Sequence, residues 1–208
     1  IKEGELEKVT NYLLELYEMG VDAVLIQDIG LIKIINENIP KLKIHASTQM
    51  NLHNIEGIKW ASEHNIKRVV LPRETEMNEL KEIIDYAHSL GIEIEIFAHG
   101  ALCYSYSGHC LLSSMQGGRS GNRGTCAQPC RQPYKNGYEL SLKDLSVADM
   151  FKDYLKLGVK SFKIEGRVKN ELYVATVVKA YPGVAFSPIG YRNDLIVRGG
   201  GPSENAFY

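Results

Sequence analysis

No apolar run in the 208-residue sequence approaches the roughly 18 residues needed to span a bilayer, so a membrane-spanning helix is not expected. The opening Ile1-Lys2-Glu3-Gly4 lacks the basic and apolar regions of a signal peptide. An excess of either charge is also lacking. The 24 Lys and Arg against 25 Asp and Glu leave a net of −1, so no global field draws the chain to nucleic acid or to an anionic membrane. A partner of that kind has to be held by a local patch. These absences point to a cytoplasmic protein without a membrane partner. The first residue is Ile and not Met, which leads us to expect that the true N-terminus lies upstream.

Several functional motifs are missing as well. No G-x-G-x-x-G follows the first apolar strand, which lowers a dinucleotide-binding reading. The glycine-rich stretch from Gly117 to Gly124 lacks the Gly-Lys-Ser/Thr ending of a phosphate-binding loop, and neither H-E-x-x-H nor G-x-S-x-G occurs.

What is present is an alternation of two periodicities over the first 97 residues. Helical stripes such as Leu6, Val9, Leu13 and Leu16, closed by Gly20, are followed by short β-branched apolar runs. Strands are expected at 21–27, 42–46, 68–71 and 92–97, with helices at 31–38, 51–64 and 77–90 between them. Strands separated by helices pair in parallel through right-handed crossovers. Residues 98–137 break the pattern, being rich in glycine and carrying every cysteine. A connection that long is usually functional. The pattern then resumes with a strand at 138–142, a helix at 144–157, a strand at 160–164 and a helix at 170–180. From Pro182 to Tyr208 it gives way to glycine, proline and isolated aromatics, read as a C-terminal extension that could belong to a truncated second domain. Six parallel strands suit an open α/β sheet or a (β/α)8 barrel lacking two units.

In parallel α/β folds ligands bind beyond the carboxyl ends of the strands. Here those ends are polar: Gln27-Asp28, then His45-Ala46-Ser47-Thr48-Gln49, Pro72-Arg73-Glu74, His99-Gly100, Lys143-Asp144 and Glu165-Gly166-Arg167. Together they suggest a polar, anion-compatible pocket. Taken singly, Asp28, Ser47, Thr75 and Asp144 suit helix caps equally well. His53, His64 and His88 fall on helices and are read as packing or exposed residues.

Cys103, Cys110, Cys126 and Cys130 have the spacing C-x6-C-x15-C-x3-C, without the paired C-x2-C knuckles of common zinc sites. An irregular loop can still wrap four thiolates around an iron–sulfur cluster or, as the alternative, zinc. Two disulfides, disfavoured in a reducing compartment, or four unrelated thiols are the other readings. Residues 101–138 contain no Asp or Glu but do contain Arg119, Arg123, Arg131 and Lys135, positive charge that suits thiolates and could also hold phosphate groups. His99 and His109 flank the first two cysteines as candidate ligands or proton carriers.

The segment Glu95-x-Phe97-x-x-Gly100-Ala101-Leu102-Cys103, four residues, then Gly108-x-Cys110-x-Leu112-Ser113 resembles the signature of the peptidase U32 family, described as collagenase-like proteases. Further matches are His45-x-Ser47-Thr48-Gln49, Arg73-Glu74, Gly121-Asn122-Arg123-Gly124-x-Cys126-Ala127-Gln128-Pro129-Cys130-Arg131, Lys143-Asp144-Leu145 and Phe162-Lys163-Ile164-Glu165-Gly166-Arg167. The resemblance covers about residues 10–181. It implies an α/β, (β/α)8 TIM-barrel-like domain over 1–181, incomplete at its N-terminus, with the cysteine-rich loop at 98–137 as an insertion. Members of the family include proteins required for hydroxylating tRNA uridine or ribosomal RNA cytidine, and hydroxylation factors carrying a 4Fe-4S cluster.

By that resemblance Cys103, Cys110, Cys126 and Cys130 are the cluster ligands, although some relatives take the fourth from later in the chain. His45, Gln49, Arg73, Glu74, His99, Lys143, Asp144, Glu165 and Arg167 are the candidate catalytic residues. Arg73, Lys143 and Arg167 are expected to hold a small carboxylated metabolite, and RNA to contact Arg119, Arg123, Arg131 and Lys135. The function expected is iron–sulfur-dependent RNA hydroxylation; a peptidase using Cys103 with His99 or His109, or a scaffold acting with a protein partner, are the alternatives. Two departures from the family stand out: the short spacing from Cys130 to Lys143, and Pro182, which ends a helix the family continues.

Overall fold

The structure is a computed structural model that describes residues 1–166 and 169–181 together with the strand backbones at 184–188 and 195–199. The chain divides into two compact units, Ile1–Leu71 with Thr75–Glu95, and Pro72–Glu74 with Ile96–Tyr208.

In the first unit, helix α1 (Leu6–Glu18) leads to strand β1 (Ala23–Ile26), α2 (Ile29–Asn38) to β2 (Lys43–Ala46), α3 (Ile55–Glu63) to β3 (Ile66–Val70), and α4 (Met77–Ser89) to the start of β4 (Glu93–Gly100). All the pairings are parallel: Val24 lies opposite Ile44, Ala46 opposite Val69, and Val69 opposite Ile94. The expected βα alternation is thus present. Of the α1 stripe, Leu13 is fully buried and Leu6, Val9 and Leu16 are partly covered, as the spacing requires. Gly20 closes that helix with φ +80°, a left-handed cap that costs glycine no Cβ clash. Ile35, Ile44, Ile58, Ile84 and Ile94 are 0% exposed and make the core between sheet and helices. Asp28 caps α2 by accepting from Leu31 N–H, and Asn54 caps α3 by accepting from Gly57 N–H.

One pair in this unit breaks the apolar rule. Arg68 on β3 donates to Glu93 and to Glu95 on β4, and Arg68 and Glu95 are 4% and 1% exposed. The parallel register sets Arg68 opposite Glu93 and Val70 opposite Glu95, so the guanidinium reaches both carboxylates.

In the second unit, β4 runs on to Gly100 and pairs antiparallel with the short β5 (Leu145–Ser146), His99 opposite Ser146. A four-residue helix, α5 (Leu112–Met115), interrupts the cysteine loop between them. Helix α6 (Phe151–Leu157), strand β6 (Ser161–Ile164) and helix α7 (Glu171–Lys179) follow. The strands β7 (Val184–Pro188) and β8 (Leu195–Gly199) are antiparallel, β8 also pairing antiparallel with β6. Phe162, Ile164, Phe151 and Tyr181 lie in this unit's core, the Phe151 ring tilted against Phe162 at 4.6 Å and edge-on to Tyr181 at 5.3 Å between centroids.

The expected strand at 138–142 does not form. Its alternating pattern has no buried side to serve, since Tyr138 is 65% and Leu142 39% exposed. Residues 145–146 take the ladder position beside β4 instead. The expected helix at 144–157 correspondingly begins only at Phe151, after a turn at Ala148–Met150.

Candidate functional site

The second unit gathers most of the candidate residues into three connected clusters. The first lies where β4 and β6 end. Glu165 N–H donates to His99 O at 2.8 Å, bringing the two strand ends together. The Glu165 carboxylate pairs with Arg73, whose guanidinium carbon lies 3.6 Å from the centroid of the Phe97 ring. Lys163 Nζ lies over the same ring at 5.5 Å. Two cations therefore lie against one aromatic ring, and of the two Arg73 is paired with the Glu165 carboxylate. The approach depends on Gly100, at φ +131°, where a Cβ would come within 2.7 Å of Glu165 Cβ and of its carbonyl oxygen.

The second cluster surrounds His99. Its Nδ1 lies 3.2 Å from the Tyr181 hydroxyl, which in turn donates to Ala98 O at 2.8 Å. Asp144 Oδ2 accepts from Lys169 Nζ at 2.9 Å and from the Tyr173 hydroxyl at 2.8 Å, and the Tyr173 ring stands edge-on to His99. Burial pushes the His99 pKa below that of an ordinary histidine, helped by Lys169 and opposed by Asp144, so the imidazole is neutral at pH 7. Burial raises the Asp144 carboxyl, but the bonds from Lys169 and Tyr173 and the nearby cations outweigh it and leave the pKa below the usual 3.8. The Tyr173 hydroxyl is pushed far up by burial and by its bond to Asp144.

A carboxylate whose folded pKa is depressed stabilises the fold fully above its unfolded pKa and loses that contribution as pH falls through the folded one. Asp144→Asn should therefore lower the urea midpoint relative to wild type at pH 7, with the gap closing below about pH 4. An equal gap at pH 3 and pH 7 would show that the Asp144 charge contributes nothing.

The third cluster is the cysteine loop. Glu74, next to Arg73, accepts from Ser107 N–H at 2.7 Å and from its hydroxyl at 2.5 Å, holding Ser107 in a left-handed conformation at φ 38°. All four cysteines are free thiols. Leu112 N–H donates to Cys110 Sγ at 3.4 Å and Gln128 N–H to Cys126 Sγ at 3.3 Å. Ser113 accepts from Ala127 N–H at 2.9 Å and lies 3.4 Å from Cys126 Sγ, to which its hydroxyl proton is free to point. Burial raises the Cys130 thiol pKa, with Arg131 opposing and Cys103 and Cys126 adding to the rise. Four thiols, with N–H groups aimed at two of the sulfurs, are donors of the type that iron–sulfur clusters use. Among the described residues, however, no three His, Cys, Asp or Glu side chains converge at metal-binding separations.

Two of the basic residues expected to meet RNA are engaged within the loop itself. Arg119 donates to Thr125 O at 2.7 Å and to Cys126 O. Arg131 bonds Leu102 O, Ser141 Oγ and Leu142 O, tying the two ends of the loop together. Tyr104, Tyr138, Leu111 and Met115 are exposed on the same segment.

His45, on β2, and Gln49, in the turn Thr48–Met50, belong to the first unit. Lys143 is exposed and joins none of the three clusters, and Arg167 lies outside the described residues. Of the expected caps, Ser47 accepts from Gln49 N–H, whereas Thr75 caps nothing, its buried hydroxyl lacking a hydrogen-bond partner among the described residues. Asp144 serves the His99 cluster instead of a helix. Sequence reasoning passed over Lys169, Tyr173 and Tyr181. The only local signal was the four-residue spacing of Lys169 and Tyr173 at the start of α7, where Asn170 caps the helix.

The model of Peptidase family U32 matches residues 1–185, and the chain belongs to that family. Among curated relatives, the 23S rRNA 5-hydroxycytidine C2501 synthase of Escherichia coli is 36% identical over all of this chain and 32% of its own length. The tRNA hydroxylation protein P1 of Bacillus subtilis is 36% identical over 85% of this chain and 45% of its own. A protein named collagenase from Porphyromonas gingivalis is 35% identical over 77% of this chain and 43% of its own. The chain thus spans a third to under a half of the length of these relatives. No helix among the described residues is long and apolar enough to cross a membrane.

Proposed function

We propose that this chain is the cluster-bearing part of a cytoplasmic RNA-modifying enzyme that hydroxylates a pyrimidine, the oxygen coming from a donor other than O₂. The observation that carries the reading is the cysteine loop, with four free thiols, N–H donors aimed at Cys110 and Cys126, and no acidic residue from 101 to 138. A 4Fe-4S cluster on Cys103, Cys110, Cys126 and Cys130 would supply single-electron transfer next to the polar strand ends. Zinc, the alternative, would use the same thiolates but transfer no electrons.

The names of the relatives from Escherichia coli and Bacillus subtilis support the substrate class. In the same reading the parallel strands belong to a (β/α)8 barrel domain over 1–181, and RNA phosphates are met by the basic residues of the acid-free loop, Arg119, Arg123, Arg131 and Lys135. A small carboxylated co-substrate would be met by Arg73, Lys143 and Arg167, with Lys163, which lies over the same Phe97 ring as Arg73, as a further cation. The peptidase alternative needs Cys103 paired with His99 or His109; of these, His99 directs Nδ1 to Tyr181.

Anaerobic purification followed by iron and sulfide analysis should give about four of each per chain and a broad visible absorption, lost on Cys110→Ala or Cys126→Ala. Deleting the gene should remove a hydroxylated pyrimidine from tRNA or rRNA hydrolysates read by mass spectrometry. Zinc in place of iron would reject the redox role. A full cluster with an unchanged nucleoside profile would leave a scaffold acting with a protein partner.

A further inference from the structure

We propose that Tyr181 is a positioning residue that fixes His99 as its Nδ1–H tautomer, so that Nε2 is the lone-pair nitrogen offered to a hydrogen-bond donor on the substrate.

The argument rests on counting protons. The Tyr181 hydroxyl has one, and its neighbour Ala98 O, 2.8 Å away, can only accept. The Ser146 side chain and the Val147 N–H also reach the phenol oxygen, both as donors to it, so the acceptor for its proton is the carbonyl. His99 Nδ1, 3.2 Å from the same oxygen, has to be the donor in its own contact. A neutral imidazole with a proton on Nδ1 has none on Nε2. Tyr181 has little freedom to change the arrangement, being 1% exposed and held edge-on by Phe151. Ala98 O also accepts from Val147 N–H at 3.0 Å, which fixes the carbonyl in turn. His99 itself is only partly covered, and Nε2 is the ring nitrogen without a hydrogen bond among the described residues.

A lone pair at Nε2 accepts from N–H and O–H groups. Resting on the RNA reading above, the matching substrate edge is the N3–H of uracil or the exocyclic amine of cytosine, each a donor on a pyrimidine ring.

The test has two independent arms. Two-bond 1H–15N spectra of the full chain labelled at histidine, with His99 assigned through His99→Gln, should show a pyrrole-type Nδ1 and a pyridine-type Nε2 near neutral pH. Tyr181→Phe keeps the ring packing and removes the acceptor, and should move the His99 pattern toward the Nε2–H form. A pyrrole-type Nε2 in the wild type overturns the proposal without reference to any variant, as does an unchanged pattern in Tyr181→Phe. In a deletion strain, the Tyr181→Phe gene should restore the hydroxylated pyrimidine at least about tenfold less well than wild type, a wrong tautomer being a costly fault in histidine catalysis. Full restoration overturns the role toward substrate. If the wild-type gene restores nothing, the RNA reading fails while the tautomer assignment stands or falls on the spectra alone.

Discussion

Arg68→Ala is expected to destabilise the chain by about 3–5 kcal/mol, the cost of removing one member of a buried ion pair. The reason is what stays behind. Glu95 is 1% exposed inside the first unit and would lose the guanidinium that its Oε2 meets at 3.3 Å. Glu93, with its side chain 49% exposed, can turn to water and contributes little to the loss. The double variant Arg68→Met/Glu95→Leu, which fills similar volume without charge, should recover most of the stability. Urea unfolding of the three proteins measures all of this. A loss under 1 kcal/mol in Arg68→Ala would mean that water or another donor compensates Glu95 and that the pair is dispensable.

Gly100→Ala should cost about 2–5 kcal/mol and disturb the candidate site as well, since it combines backbone strain with overpacking. The new methyl would stand 2.7 Å from two atoms of Glu165, one of them a backbone oxygen that no rotamer change can move, on a residue held at φ +131°. To relieve the clash the ends of β4 and β6 have to separate. The bond from Glu165 N–H to His99 O would then lengthen, and the Glu165 carboxylate would shift relative to Arg73. Alongside the fall in urea midpoint, the amide resonance of Glu165 should move and lose exchange protection. An alanine variant with wild-type stability and an unshifted Glu165 amide would show that the close approach is not required.

The parts of this fold legible in the sequence are those set by local chemistry. Leu13 lies on the buried stripe that its spacing predicts, Gly20 ends a helix because only glycine adopts φ +80° there without penalty, and Pro40 and Pro72 stand just beyond the elements they stop. The strand at 138–142 was misread because its alternation resembles a half-buried strand, and sequence alone does not say which segment will claim the free edge of β4. The candidate site divides the same way. Arg73, Glu74, His99 and Glu165 were visible as polar residues where parallel strands end, and Asp144 only through the expected strand at 138–142, which does not form. Tyr181 was not, since it meets His99 across 82 residues of sequence. Nor did spacing reveal that Arg119 and Arg131 would direct their N–H groups at the loop's own carbonyls.

Arg73 and Glu74 are neighbours in the chain that serve different masters. Arg73 grips Glu165 at the end of β6, and Glu74 grips Ser107 inside the cysteine loop. A single peptide unit therefore links the two grips, and a rotation of that unit which frees one carboxylate contact drags on the other. Opening of the loop and release of Glu165 become one correlated motion. In hydrogen exchange, the amides of Ser107 and Glu165 should open with a shared rate even though 57 residues of chain lie between their positions.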